Sequence, residues 1–151
     1  MKILTCIFII SLSSLYKAKA TDLEIIRKGY ELAVVDESIC QKMINELSKH
    51  VESNVHLAYL GAFQTIWASH IFNPISKLKT FKRGKENIEK AVNADPNNIE
   101  IRFIRLSIQK NCPGFLGYDD NIKEDQLFLT IHKNSIQSST LMKMVNVLLT
   151  S

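Results

Sequence analysis

Arg102 and Arg105, three residues apart in "EIRFIRLSIQ", are the side chains best suited to hold a ligand. At helical spacing they share one flank, and their planar guanidinium forks match the carboxylates of a bound peptide. The same forks suit an internal role, pairing with Asp119, Asp120, Glu124 or Asp125 from the segment that follows. Tyr118 and Asp119, in the irregular loop "NCPGFLGYDDN", are further candidates for partner binding or for closing the loop onto the arginines. Together with His70 they are the polar groups available to a pocket beneath residues 113–120. No constellation points to catalysis. His50, His56, His70 and His132 form neither His-x-x-x-His nor His-Glu-x-x-His, so no zinc site is expected. Nucleophile elbow, phosphate-cradling glycine loop and calcium loop are all missing, and Asp119-Asp120-Asn121 reads as a helix cap. No catalytic residue, metal or cofactor is therefore assigned.

The elements that must carry these residues are helices throughout. Leu23, Ile26, Tyr30 and Ala33 trace one helical face after Asp22, and Ile39, Met43, Ile44 and Leu47 trace a second around Cys40. Val55, Tyr59, Ala62, Phe63, Ile66, Trp67 and Ile71 give a longer third face, which ends where Asn73-Pro74 opens the fourth helix. The fourth runs to about Ala94, with Leu78, Ile88, Ala91 and Val92 inward, and Asp95-Pro96-Asn97-Asn98 is its turn. The fifth, Ile99 to Gln109, is apolar on two opposite stripes: Ile99, Phe103 and Leu106 on one, Ile101, Ile104 and Ile108 on the other. Such a helix is packed on both sides. Its polar residues fall on two flanks, Glu100 with Ser107 and Arg102 with Arg105. Ile122 to Ile131 and Ser138 to Leu149 complete a set of six to seven helices. In the loop, Phe115, Leu116 and Tyr118 are too apolar to stand in water together and are expected to fold back over the end of the fifth helix.

Gly84, Ile88, Ala91 and Pro96 are spaced by 4, 3 and 5 residues, which resembles the second helix of a tetratricopeptide repeat. That resemblance implies antiparallel hairpins stacked as a short solenoid: a small residue lets two helices approach, and proline stops the second. Gly61 would be the matching small residue on the preceding helix. It lies 23 residues before Gly84, roughly ten more than a 34-residue repeat leaves there. The runs "NPISKLKTFKRGKENIEKAV" and "EIRFIRLSIQKNCPGFLGYDDNIKED" also resemble small exported proteins of Bacteroidetes-type bacteria. This second resemblance spans Cys40 to about Leu129 and implies an exported helical protein, with no catalytic residue to carry over.

Compartment follows from the first twenty residues. Lys2 precedes an apolar run from Ile3 to Leu12, and Ala18-Lys19-Ala20 is a small-x-small cleavage pattern, so residues 1–20 read as a signal peptide. The run is far short of the roughly 20 residues that span a bilayer. Cys6 lies inside it, too early for lipidation at the cleavage point. Loss of Lys2, Lys17 and Lys19 leaves 16 of the 19 basic residues against 15 acidic ones, so the formal charge of +4 shrinks to +1. Nucleic-acid binding loses its electrostatic basis. One cluster persists in Lys77, Lys79, Lys82, Arg83, Lys85 and Lys90: a solvated helix face, or a surface for an acidic partner or anionic envelope. Cys40 and Cys112 would sit in an oxidising compartment, where they either pair or, as the stripe beside Cys40 suggests, act as small hydrophobes.

A chain of 151 residues, 46% hydrophobic and 23% charged, suits one globular domain, here residues 21–151. The expected role is an exported, non-enzymatic helical-repeat module that binds a protein or peptide in the periplasm or envelope, or outside the cell if secreted. The alternative is a small-ligand binder or small enzyme with its pocket under the 113–120 loop. A closed apolar pocket with converging polar groups would favour the alternative, and an open concave face the module.

Overall fold

The computed structural model describes residues 23–151, and the expected signal peptide and mature start at Thr21 lie outside them. The described residues form an all-α fold of seven helices with no strand. Helix α1 covers 23–33, α2 Glu37–Lys49, α3 Asn54–His70, α4 Pro74–Ala94, α5 Ile99–Asn111, α6 Ile122–His132 and α7 Ser139–Thr150. Short 3₁₀ turns, Gly114–Leu116 and Lys133–Ser135, flank α6.

Local chemistry sets most of these boundaries. The Asp36 carboxylate accepts from the Ser38 and Ile39 amides, the Ser53 hydroxyl from His56, Asn73 from Ser76, Asn98 from Glu100 and Ile101, and Ser138 from Leu141. Each satisfies an amide that the first helical turn leaves unpaired. Pro74 occupies the first turn of α4, where its missing N–H costs nothing. Asn121 differs from the cap expected there: it occupies the position, but its side chain makes no capping bond to α6 and instead accepts from Gln109 Nε2 at 3.4 Å.

Helices α3 and α4 form an antiparallel hairpin in which Gly61 faces Gly84. A Cβ built on either glycine would stand 2.5 Å from the carbonyl oxygen of the other, so only hydrogen fits. Ala62, Ile88 and Ala91 are fully buried in the same core. Helix α2 packs on α3, and α5 touches α3, α4, α6 and α7. Burial of α5 is correspondingly all-round, from Glu100 through Leu106. Tyr30 on α1 meets Tyr59 and Phe63 of α3 and Phe103 of α5 edge-on at 5.7–6.2 Å, joining the inner side of α5 to both helices.

The two polar flanks of α5 find opposite partners. Glu100 receives Arg27 from α1 in a two-pronged pair at 2.8 and 2.7 Å and the Tyr59 hydroxyl at 2.8 Å, while Ser107 lies 2.9 Å from the Tyr30 hydroxyl. Burial of Tyr59 beside the Glu100 carboxylate pushes its phenol far above the ordinary range. Cys40 is buried with its thiol 3.3 Å from the Phe63 carbonyl, and burial pushes it up to about 12. Cys112 is half-buried at the end of α5, and both thiols are free.

Candidate functional site

The four candidate side chains separate into an internal network and a loop. Arg105 grips Asp125 with Nε and Nη2 at 2.7 and 2.8 Å and reaches Glu89 at 3.4 Å. Arg102 meets Glu124 at 2.6 Å and places Nε 2.6 Å from Asp125, close but without the alignment of a hydrogen bond. Asp125 is fully buried between the two guanidiniums, and the Arg102 guanidinium also covers the Phe128 ring at 4.9 Å. The arginines are thus spent inside the protein. They bring together α5, α6 and α4, and their nearest carboxylates, Glu124 and Asp125, come from the first turn of α6 rather than from Asp119 or Asp120, which are exposed. The hydrogen bond from Arg102 holds Glu124 below the usual carboxylate range.

Tyr118 folds back as its apolar bulk requires. Its ring is buried edge-on to Phe81 at 6.3 Å, its hydroxyl donates to Glu89 at 2.6 Å, and Lys85 lies over its face at 4.7 Å. Burial, reinforced by the Glu89 carboxylate, pushes its phenol well above the ordinary range. Gly117, at φ 57°, supplies the left-handed residue that turns the chain into this position. Leu116 is partly buried, but Phe115 departs from expectation and stands 87% exposed. The 3₁₀ turn Gly114–Leu116 leaves Phe115 in solvent, while Tyr118 beyond it enters the core. His70, at the end of α3, bonds the Ala33 carbonyl at 3.1 Å. Tyr118, Asp119 and His70 consequently do not converge on a pocket.

A groove nevertheless lies beneath this turn. It encloses about 540 Å³ between the second half of α3, the first half of α4, the end of α5, the 113–116 turn and Val34 after α1. Phe81 and Ile108 are nearly buried at its base, and Leu78, Val34 and Phe115 are its exposed apolar walls. Leu78, expected inward, is 42% exposed and lines this opening beside the end of α3. The polar groups of the lining are committed to nearby backbone: Thr65 to Ala62, Ser69 to Ile66, Asn111 to Ser107, and the Cys112 thiol to Gln109 and Tyr118. Lys77 is the one charged residue that lines it. Beside it, Phe72 is fully exposed and Ile75 is 80% exposed. Sequence periodicity hid this site, because Leu78 and Ile108 extend ordinary core stripes. The visible clue was the apolar excess of "IFNPI" and "PGFL" at helix ends, where polar residues are the rule.

Among the described residues, no group of three or more His, Cys, Asp and Glu side chains is placed to hold a metal ion, and no helix is long and apolar enough to cross a membrane. No family model, curated protein or solved structure matches the chain.

Proposed function

We propose that the chain is an exported, non-enzymatic interaction module, built like a tetratricopeptide hairpin array, whose α3–α4–α5 groove binds a segment of a protein or peptide in the periplasm or envelope. The observation that carries this reading is the groove itself: an open, apolar-walled cleft with Phe72, Ile75 and Phe115 exposed around it. Exposed apolar clusters of this kind mark contact sites. The Gly61–Gly84 contact supports the repeat-like hairpin, since close glycine-mediated approach is the feature that the spacing resembles. Buried pairing of Arg102 and Arg105 supports moving the contact face away from them.

A photo-crosslinking residue in place of Phe115, activated in intact cells, tests the reading. Discrete adducts in the envelope fraction are expected, and their absence would overturn it. N-terminal sequencing of the same material tests export, with Thr21 expected first and a retained Met1 refuting it. The position of the groove under the 113–116 turn supports a second reading, a binder of a small apolar ligand, since its volume suits one. Native mass spectrometry of the purified protein would then reveal a bound small molecule that Leu78→Glu expels.

A further inference from the structure

The groove has a single charged lining residue, Lys77, and the α4 segment that borders it carries one sign of charge. From Phe72 to Lys85 the chain carries Lys77, Lys79, Lys82, Arg83 and Lys85 and no acidic residue. Lys77, Lys79, Lys82 and Arg83 are exposed, and none of the four forms an ion pair among the described residues. Lys85 alone is engaged, over the Tyr118 ring. At 100° per residue, Ile75 and Lys82 fall on the flank of α4 next to Leu78, with Lys79 and Arg83 beyond. Apolar wall and basic flank are therefore adjacent strips of one helix. Val34, which also lines the groove, is followed at Asp36 by a carboxylate that caps α2.

Concavity decides between the two partners that such a surface could attract. A bilayer presents a broad, nearly flat boundary, and amphipathic surfaces that rest on it are convex. It would cover Phe72 and Ile75 but leave Phe81 and Ile108 at the base of the groove untouched. A ridge of side chains repeating at i, i+3, i+4 and i+7 on a helix can enter the groove while its flank meets the lysines. Resting on the module reading above, we propose that the groove receives an amphipathic helix of a partner protein whose flank facing α4 is rich in Asp and Glu.

Two labelled synthetic helices of about 14 residues, roughly 21 Å long, make the test. Both carry the same leucine ridge; one has glutamates on its flanks, the other lysines. Fluorescence anisotropy with the purified protein should show the glutamate helix bound at least about tenfold more tightly. The difference should shrink as ionic strength rises from about 0.15 M to about 1 M, where screening shortens from about 8 Å to about 3 Å. Lys77→Glu/Lys82→Glu should invert the preference, and Leu78→Glu should weaken both helices with melting curves unchanged. Equal binding of the two helices, or a preference that survives charge reversal, overturns the proposal. So does binding of neither helix, including the case in which anionic phospholipid vesicles are bound instead. If crosslinks at Phe115 persist while both helices fail, the partner chemistry is wrong and the module reading stands. If those crosslinks are also missing, the module reading falls with it.

Discussion

Gly61 and Gly84 meet backbone to backbone, so that a methyl group on either would press against the carbonyl oxygen of the other at 2.5 Å. Added at Gly84, the methyl would also lie 2.8 Å from the Thr65 amide nitrogen. Backbone cannot rotate away, so α3 and α4 would have to separate along the seam. Gly84→Ala should therefore destabilise by about 1–3 kcal/mol or more despite its gain in helix propensity. Ala91→Leu, at a fully buried position two turns further on, should cost a similar amount. Urea unfolding of both variants checks this, and parental midpoints would mean that the seam is looser than it looks.

Asp125 and Glu124 are neighbours with opposite expectations. Asp125 is fully buried between two arginines, and Asp125→Asn would leave Arg102 and Arg105 close together without its charge. A loss of about 3–5 kcal/mol is expected. Glu124, with a side chain 59% exposed, should cost under about 1 kcal/mol as Gln. Arg105→Ala should resemble Asp125→Asn in the melting curve while leaving crosslinking at Phe115 unchanged. A normal melting curve with lost crosslinking would instead make Arg105 part of the contact surface.

Acid should act through Glu24. The Ser138 hydroxyl, against some opposition from burial and with help from Thr140 and Arg27, lowers its carboxyl from 4.5 to about 2. The unfolded chain binds this proton first on acidification. The contribution is present above about pH 4.5 and disappears as pH falls toward about 2. Glu24→Gln should flatten the dependence of the urea midpoint on pH in that window. Its partial exposure keeps the effect modest, and an unchanged slope would rule this carboxylate out as a source.

Thiol reactivity should be divided between Cys40 and Cys112. Cys40, fully buried with its thiol pushed up to about 12, has almost no thiolate at neutral pH. In the folded protein iodoacetamide should modify Cys112 slowly, because burial and the Asp119 carboxylate raise its thiol too, and Cys40 only after unfolding. Peptide mapping by mass spectrometry distinguishes the two, and early labelling of Cys40 would mean that α2 opens from α3.

What the sequence determined by itself was the set of helices and the two-sided character of α5. Asn73-Pro74, Asn98 and Ser138 act on amides within one turn, and apolar periodicity needs only 3.6 residues to repeat, so both are local and readable. The division of α5 polarity into a Glu100–Ser107 flank and an Arg102–Arg105 flank was readable for the same reason. Tertiary structure alone decided which partner each flank met. Arg27 lies 73 residues from Glu100, and Arg105 takes Asp125 rather than Asp119 because helical rotation of α6 turns Asp125 inward while Asp119 and Asp120 remain in solvent. It also decided where the apolar stripes of α4 and α5 outrun their neighbours. Leu78 and Ile108 follow the same repeat as the core, and they border a groove because the α3–α4 hairpin and the 113–116 turn stop short of closing over them.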